Sequence, residues 1–417
     1  MVAKSASRMF RIRCRSFTGI RMKILFLNQF FTPSVNSSAT LPYDAARYLV
    51  GQGFAVDALV GYPKEYNMGL AVPLRESVSG ISVRRLRYLQ LKRSGKIGRL
   101  INYFSFTAAV LLHLHLLKHY DCVVVFSNPP ILPLAAVLAR RLYGTPFLFV
   151  AYDVYPEVAY PSGSIRPGSA VDRVMKRINR SLYAGASGVV ALTEEMRQFL
   201  LASRPELSQD RVRVIHNWAF EEERYTTDRA ADDGEFLVTY FGNMGICQEM
   251  DTLMDAAALL RDDRRIRFLF VGFGTKEAAL EERARREKLE RVRFEGHLTG
   301  KRFTDAVSGS GCTVITLAEG LRGTCAPSKY YSSLCLGRPI LSITEPGSYL
   351  PAEIEREGIG FGTRIGDAET LRDHILWLAE HPEECDAIGE RARALYRRKY
   401  AREKSLSAYA QWLRELK

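Results

Sequence analysis

The chain has 417 residues, 59 of them Lys or Arg against 46 Asp or Glu, a formal net charge of +13, and 47% of its residues are apolar. Such a length predicts two domains with ample core in each, and the composition excludes a disordered, collagenous or multi-span membrane chain. Seven cysteines, an odd count with no CxxC pair, argue against a disulfide framework or a structural zinc and for a reducing compartment.

The charge is unevenly placed. Residues 1–21 hold six basic side chains and no acid, residues 22–218 hold 23 basic against 12 acidic, and residues 219–417 hold 30 against 34. The first stretch lacks the apolar core of a secretory signal; arginines without acid would suit an organelle transit peptide, but it reads rather as an upstream extension, with Met22 as the natural start. From there short apolar runs alternate with longer amphipathic stretches, the pattern of a parallel α/β fold. Strands are predicted at 24–28, 55–60, 83–86, 122–127, 147–151, 188–192 and 212–216, then at 237–241, 267–271, 292–295, 312–316, 339–342 and 359–363. Between the two sets, the acid-rich stretch 221–235 has almost no apolar residue and reads as a linker. The expectation is two Rossmann-like doubly wound domains, 22–219 and 236–395, joined at 220–235. Ligands would sit in the cleft at the carboxyl ends of their strands.

In the first half, seven basic residues without an acid (Arg84, Arg85, Arg87, Lys92, Arg93, Lys96 and Arg99) precede eighteen uncharged residues at 100–117. Polar side chains within that run disfavour a spanning helix. A helix partly in the core and partly at a lipid surface, its basic cluster against anionic headgroups, fits better; a wholly buried helix is the alternative. His113, His115 and His119 have no partner cluster, and no metal is expected. After strand 147–151, Tyr152 and Asp153 stand at the mouth of the cleft. Asp153 is suited either to orient an acceptor hydroxyl or to cap a helix begun by Pro156 and Glu157.

In the second half, strand 237–241 runs into Gly242-Asn243-Met244-Gly245 and then a helix at 250–260. Such a turn aims N–H groups at an anion, a phosphate by preference, although a purely structural turn would use the same residues. A second strand ends in Val271-Gly272-Phe273-Gly274, but Glu277 occupies the third glycine position of a dinucleotide fingerprint, so no nicotinamide cofactor is expected. Finally, Glu319-Gly320-Leu321-Arg322-Gly323 leads to Pro327 and Ser328, which suit a helix start, with Lys329 in the first turn. A cation there is opposed by the helix dipole unless it serves an anion.

These stretches, with Leu334-Cys335-Leu336-Gly337-Arg338-Pro339-Ile340-Leu341, Asn128-Pro129-Pro130, Leu192-Thr193-Glu194-Glu195-Met196 and Ile215-His216-Asn217-Trp218, resemble family 4 glycosyltransferases of GT-B fold. The resemblance runs from Met22 over nearly the whole chain. It is narrowest to the bacterial branch that builds capsule, exopolysaccharide and O-antigen units. It implies retaining transfer from a nucleotide-sugar, UDP-sugar first, with no obligatory metal, to a polyprenyl-diphosphate-linked saccharide. The enzyme would sit at the cytoplasmic face of the membrane as a peripheral protein, with residues 396–417 packing back on the first domain.

The resemblance also assigns roles. Lys329, with Glu319 and Asp153, would be catalytic, since donors aimed at the departing diphosphate stabilise the transition state. Gly242, Asn243, Gly245, Gly272, Gly274, Gly320, Arg322, Gly323, Ser328 and Ser332 would bind the donor. Ser37 and Ser38, where relatives often have two glycines, and Tyr152, where many have His, would face the sugar and acceptor. Asn243 and Gln248 stand where many members carry Arg and Lys, so Lys329 and Arg322 become the replacement cations. The family's paired glutamates fall at Thr324 and Ser332, and Glu319 fills the first role only if the loop is longer. Two other readings remain: a GT-B nucleotide-sugar epimerase, or a basic nucleic-acid-binding module. The apolar stretch beside the basic cluster counts against the second, and no nucleic-acid partner is expected.

Overall fold

The computed structural model describes residues 21–63, 71–91, 96–220, 222–225 and 234–416. The basic leader before residue 21, Lys92, Arg93, the side chain of Lys96 and most of the linker expected at 220–235 lie outside the described residues.

Two sheets organise the molecule. The first contains β1 (Lys23–Asn28), β2 (Ala55–Gly61), β3 (Arg75–Val78), β4 (Ile81–Leu86), β5 (Cys122–Phe126), β6 (Phe147–Ala151), β7 (Gly188–Ala191) and β8 (Val212–Val214), in the order β3-β4-β2-β1-β5-β6-β7-β8. Its pairs are parallel except β3 with β4. Because successive side chains point to opposite faces, Leu25 and Leu27 enter one core and Ile24 and Phe26 the other. Strands buried on both faces need apolar side chains throughout, hence the unbroken Cys122-Val123-Val124-Val125-Phe126. Helices α2 (Lys96–Leu112), α3 (Pro133–Tyr143), α4 (Ala170–Gly185) and α5 (Glu194–Ser203) cover one face, and α1 (Ser37–Gly51) the other.

The second sheet is parallel and has the order β11-β10-β9-β12-β13-β14. It comprises β9 (Phe236–Asn243), β10 (Ile266–Phe273), β11 (Val292–Phe294), β12 (Cys312–Thr316), β13 (Ile340–Thr344) and β14 (Gly360–Arg364). Its helices are α6 (Asp251–Leu259), α7 (Glu277–Arg286), α8 (Gly300–Ser308), α9 (Lys329–Leu336), α10 (Tyr349–Arg356), α11 (Ala368–Glu380) and α12 (Pro382–Leu395). The chain then returns to the first sheet as α13 (Arg402–Glu415), whose Leu406, Tyr409 and Leu413 join the core under α1. Buried Asp44 on α1 receives Arg402 through both carboxylate oxygens, at 2.6 and 2.7 Å, and the Trp218 indole N–H at 2.9 Å. In each sheet the strand order reverses beside the first strand, between β1 and β5 and between β9 and β12. Such switch points open a crevice at the carboxyl edge.

The thirteen expected strands all form, with ends shifted by up to two residues, and β3 is additional. Its Arg-Glu-Ser-Val sequence carries no apolar pattern because an edge strand needs one partner and no buried face. A second departure is Arg85, expected at the lipid surface. Its side chain is buried, donating to the carbonyls of Thr32 at 2.9 Å and Pro73 at 2.9 Å and pairing with Glu76 at 2.5 Å. Alternation along β4 turns Arg85 inward, so it ties the loop after β1 to β3. The apolar run expected as a helix at 100–117 folds as α2 from Lys96, then breaks into a separate tight turn at Leu114–His119. Among the described residues no helix is long and apolar enough to cross a membrane.

Candidate active site at the domain seam

On the second sheet, the last residue but one of β9 is Gly242, whose φ of 110° only glycine adopts readily. A Cβ at Gly272 would collide with the Gly242 carbonyl, and one at Gly274 with that of Met244. These two glycines let the loop after β10 lie directly on the turn after β9, locked by Met244 N–H to Phe273 O at 2.8 Å and Lys276 N–H to Met244 O at 2.9 Å. A Cβ at Gly245 would crowd the Asn243 side chain.

Lys329 opens α9 and reaches this turn. Its Nζ donates to Tyr240 Oη at 2.5 Å and to Gln248 Oε1 at 3.3 Å, and stands 3.7 Å from the Tyr240 ring centroid. A Cβ at Gly242 would lie 3.8 Å from that ammonium. Both hydrogen-bond partners are neutral, and burial pushes the Lys329 pKa well below the ordinary lysine value. Gln248, at the position where the resemblance implies a lysine, thus meets the lysine of α9. A second cation converges on the same residue, since Lys276 Nζ donates to Gln248 O at 2.6 Å. Sequence reasoning passed over Lys276 because it weighed that loop only as a dinucleotide fingerprint.

The loop after β12 faces the other domain. Asp153 and Cys325 form an antiparallel bridge, and Val154 N–H donates to Thr324 O at 2.7 Å. Glu195, in the first turn of α5, accepts from Arg322 Nε at 3.1 Å, Gly323 N–H at 3.2 Å and Tyr349 N–H at 3.1 Å. Gly323 packs where any side chain would strike Phe199, and Gly320 lies against Pro161. The N–H of Gly323 and the Nε of Arg322 are therefore turned toward Glu195 of the first domain. Glu319 is exposed. Ser328 precedes α9 without a side-chain cap bond, Ser332 Oγ accepts from Tyr225 Oη at 3.2 Å, and Thr324 closes its own loop by donating to Leu321 O at 2.8 Å. The paired-glutamate positions thus hold a connector contact and a loop clasp.

Across the seam, the Asp153 N–H donates to Ser127 Oγ at 3.0 Å, and burial pushes its carboxyl up to about 6. Burial raises the pKa of Tyr155, Cys247 and Cys325, and the Asp153 charge adds to the rise in each, which places side chains from both domains around it. Asp153 does not act as a helix cap: the short turn Glu157–Ala159 is preceded by Pro156, without a side-chain cap bond. Tyr152 packs 5.3 Å from the Phe126 ring and near Tyr409 of α13. Ser37 and Ser38 begin α1 at the switch point of the first sheet, where Asn28 Nδ2 holds Ser38 O at 2.7 Å. Nearby, the buried Gln29 amide, Ser34 Oγ and Asn128 Oδ1 have no protein partner. Polar atoms so placed call for water or a hydroxyl-bearing ligand.

Residues 39–218 match the family model for a Glycosyl transferase 4-like domain, and residues 235–381 that for Glycosyl transferases group 1. The chain is a glycosyltransferase of GT-B fold. This glycosyltransferase is 26% identical over 307 residues to the probable glycosyltransferase WbjE of Pseudomonas aeruginosa, covering 71% of this chain and 75% of the relative. Among solved structures, sucrose-phosphate synthase of Thermosynechococcus elongatus superposes with a TM-score of 0.76 at 15% identity, over 95% of this chain and 99% of that one. The HepE protein of Anabaena, in complex with UDP and glucose, superposes with a TM-score of 0.70 at 17% identity, over 95% and 100%.

Proposed function

We propose that the protein transfers a sugar, with retention, from a UDP-sugar to a polyprenyl-diphosphate-linked saccharide in surface-polysaccharide assembly. It would work at the cytoplasmic face of the membrane as a peripheral protein, without an obligatory metal. The observation that carries the donor assignment is the Lys329 ammonium lodged against the Gly242 turn with only neutral partners. A cation so placed lacks a counter-charge, and the diphosphate of a nucleotide-sugar supplies one. The leaving diphosphate gains negative charge as the glycosidic bond breaks, so Lys329, with Lys276 beyond Gln248, stabilises the transition state more than the ground state. HepE, of the same fold, binds UDP and glucose, which supports UDP as the nucleotide.

Asp153, near the middle of its titration at pH 6, is suited to orient and partly deprotonate the acceptor hydroxyl. The likeness to a probable glycosyltransferase, WbjE, favours transfer over epimerisation. A thermal-shift screen with UDP-, GDP- and dTDP-sugars tests the donor, because only a ligand of the native state raises its melting temperature. A rise with UDP-sugars alone is expected; a rise confined to GDP- or dTDP-sugars would overturn the nucleotide assignment.

A further inference from the structure

Asn28 ends β1 and Gln29 follows it, and their side chains turn opposite ways. Asn28 faces α1, where its Nδ2 donates to Ser38 O at 2.7 Å, while its Oδ1 accepts the Gln29 N–H at 3.0 Å. Carried one residue further, alternation sends the Gln29 side chain to the other face, the one covered by α2. Its neighbours agree. A Cβ at Gly61, the last residue of β2, would lie 3.5 Å from Gln29 Cγ, 2.8 Å from Tyr88 Cε1 and 2.7 Å from Gln29 O. Glycine at 61 thus lets the Gln29 side chain and the Tyr88 ring close over the end of β2, where Gly61 N–H donates to Gln29 O at 3.1 Å. Tyr88 packs on the α2 side of the core and stands edge-on to Phe106 of α2, ring centroids 5.3 Å apart.

The walls of this crevice are fixed. Gln90 Nε2 donates to Tyr62 O at 2.8 Å, tying the segment after β4 to the end of β2. Asn102 and Ser105 of α2 bond the backbone of Leu91 and Leu89 in the same segment. Inside, Gln29 is only 1% exposed, and neither its Nε2 nor its Oε1 has a protein partner. Thr107 of α2, beside Phe106, is 3% exposed with its Oγ1 unpartnered. A buried carboxamide with both atoms free costs the fold stability and calls for a ligand. The crevice also leads to the seam, since Tyr103, one turn before Thr107 on α2, lies within electrostatic reach of Tyr155, as Asp153 does. The donor turn at Gly242 belongs to the other sheet, and Ser37 and Ser38 open α1 on the opposite face of this one. The ligand that Gln29 meets is therefore the acceptor.

We propose that Gln29, beneath Tyr88 and beside Thr107, is a specificity-determining residue that selects a neutral acceptor sugar presenting two adjacent free hydroxyls. A carboxamide holds an acceptor and a donor side by side. One ring hydroxyl donates to Oε1 while its neighbour accepts from Nε2, and the Tyr88 ring covers the apolar C–H face of the sugar. An acetamido group in place of one hydroxyl fits poorly, because a trans amide points its N–H and its carbonyl in opposite directions. A phosphate finds no cation among Gln29, Tyr88 and Thr107. The choice of a sugar as ligand rests on the proposed transfer reaction.

Gln29→Met removes the amide at nearly constant volume and separates service to a ligand from service to the fold. A polar group kept for a ligand costs stability when the ligand is away, so Q29M is expected to melt at or above the wild-type temperature. Saturation-transfer NMR then measures binding of methyl α-D-glucoside, methyl α-D-galactoside and methyl α-D-mannoside, with and without UDP. Wild type is expected to bind at least one of them, and to bind its monodeoxy and 2-acetamido counterparts at least tenfold more weakly, because a missing partner leaves a buried polar atom unpaired. In Q29M that preference is expected to vanish while the UDP dissociation constant stays unchanged. A Q29M melting temperature several degrees below wild type would assign the amide to the fold and overturn the proposal. So would binding of none of the three glycosides, a Q29M that keeps the preference, or a wild type that favours the 2-acetamido forms. A Gln29-dependent glycoside preference in a protein that fails to bind UDP would uphold the subsite and sink the nucleotide assignment.

Discussion

The turn after β9 and the loop after β12 leave the second sheet side by side at its switch point, and each carries two glycines. The first folds inward: Gly242, at positive φ, lies against Lys329, which bonds Tyr240 and Gln248, and Gly245 leaves space for the Asn243 side chain, all within a single domain. The second folds outward: Gly320 and Gly323 let the backbone reach Pro161, Phe199 and Glu195 of the other domain. Glycine backbone thus serves two purposes, close packing against the Lys329 side chain in one case and close approach of two domains in the other. The difference lies in what surrounds each turn. An unpaired cation stands at the first and an opposing carboxylate at the second.

The sharpest test of this division is Lys329→Ala, expected to lower kcat/KM about 100-fold, in the range found when one charge-stabilising donor is removed. Donor binding should weaken as well, while the circular dichroism spectrum stays unchanged, since Lys329 makes only side-chain contacts to neutral groups. Unchanged turnover in that variant would remove the donor assignment. Glu195→Gln comes next. It keeps the shape but loses the charge that three donors share, and should lower kcat about tenfold through looser closure while leaving the UDP dissociation constant unchanged. If UDP affinity falls as much as kcat does, the second loop touches the donor and the division fails.

Much of this was legible in sequence because it is written in local patterns. Unbroken apolar runs such as Cys122–Phe126 mark strands buried on both faces, and their recurrence marks the doubly wound sheets. Lys329 was legible for a local reason too, as a cation misplaced in a first helical turn. Glu195 was not. Thr193 capping α5 at 3.1 Å and an acidic first turn account for it fully at the level of one helix, and its three partners lie more than a hundred residues away. Arg85 misled in the opposite direction: a run of basic residues looks like a surface, but alternation along β4 and a carboxylate on the neighbouring strand draw one of them inside.

Asp153 gives the smallest effect and the most direct probe of the seam. Its carboxyl is raised to about 6 by burial between the domains, so lowering the pH toward 5 protonates it and should cost most of the activity. A plot of log kcat/KM against pH should bend near 6, and Asp153→Asn should remove the bend while lowering activity several-fold at pH 8. The same shift has a consequence for folding with a definite sign. Between the ordinary aspartate value and about 6 the folded chain holds a proton that the unfolded chain releases, so this group makes stability fall as pH rises through that window. Glu195→Gln, by loosening the docked loop that covers Asp153, should admit water and move the bend below 6. If the bend stays put when the latch is weakened, the burial of Asp153 comes from its own domain, and the outward loop holds the domains together without shaping the chemistry.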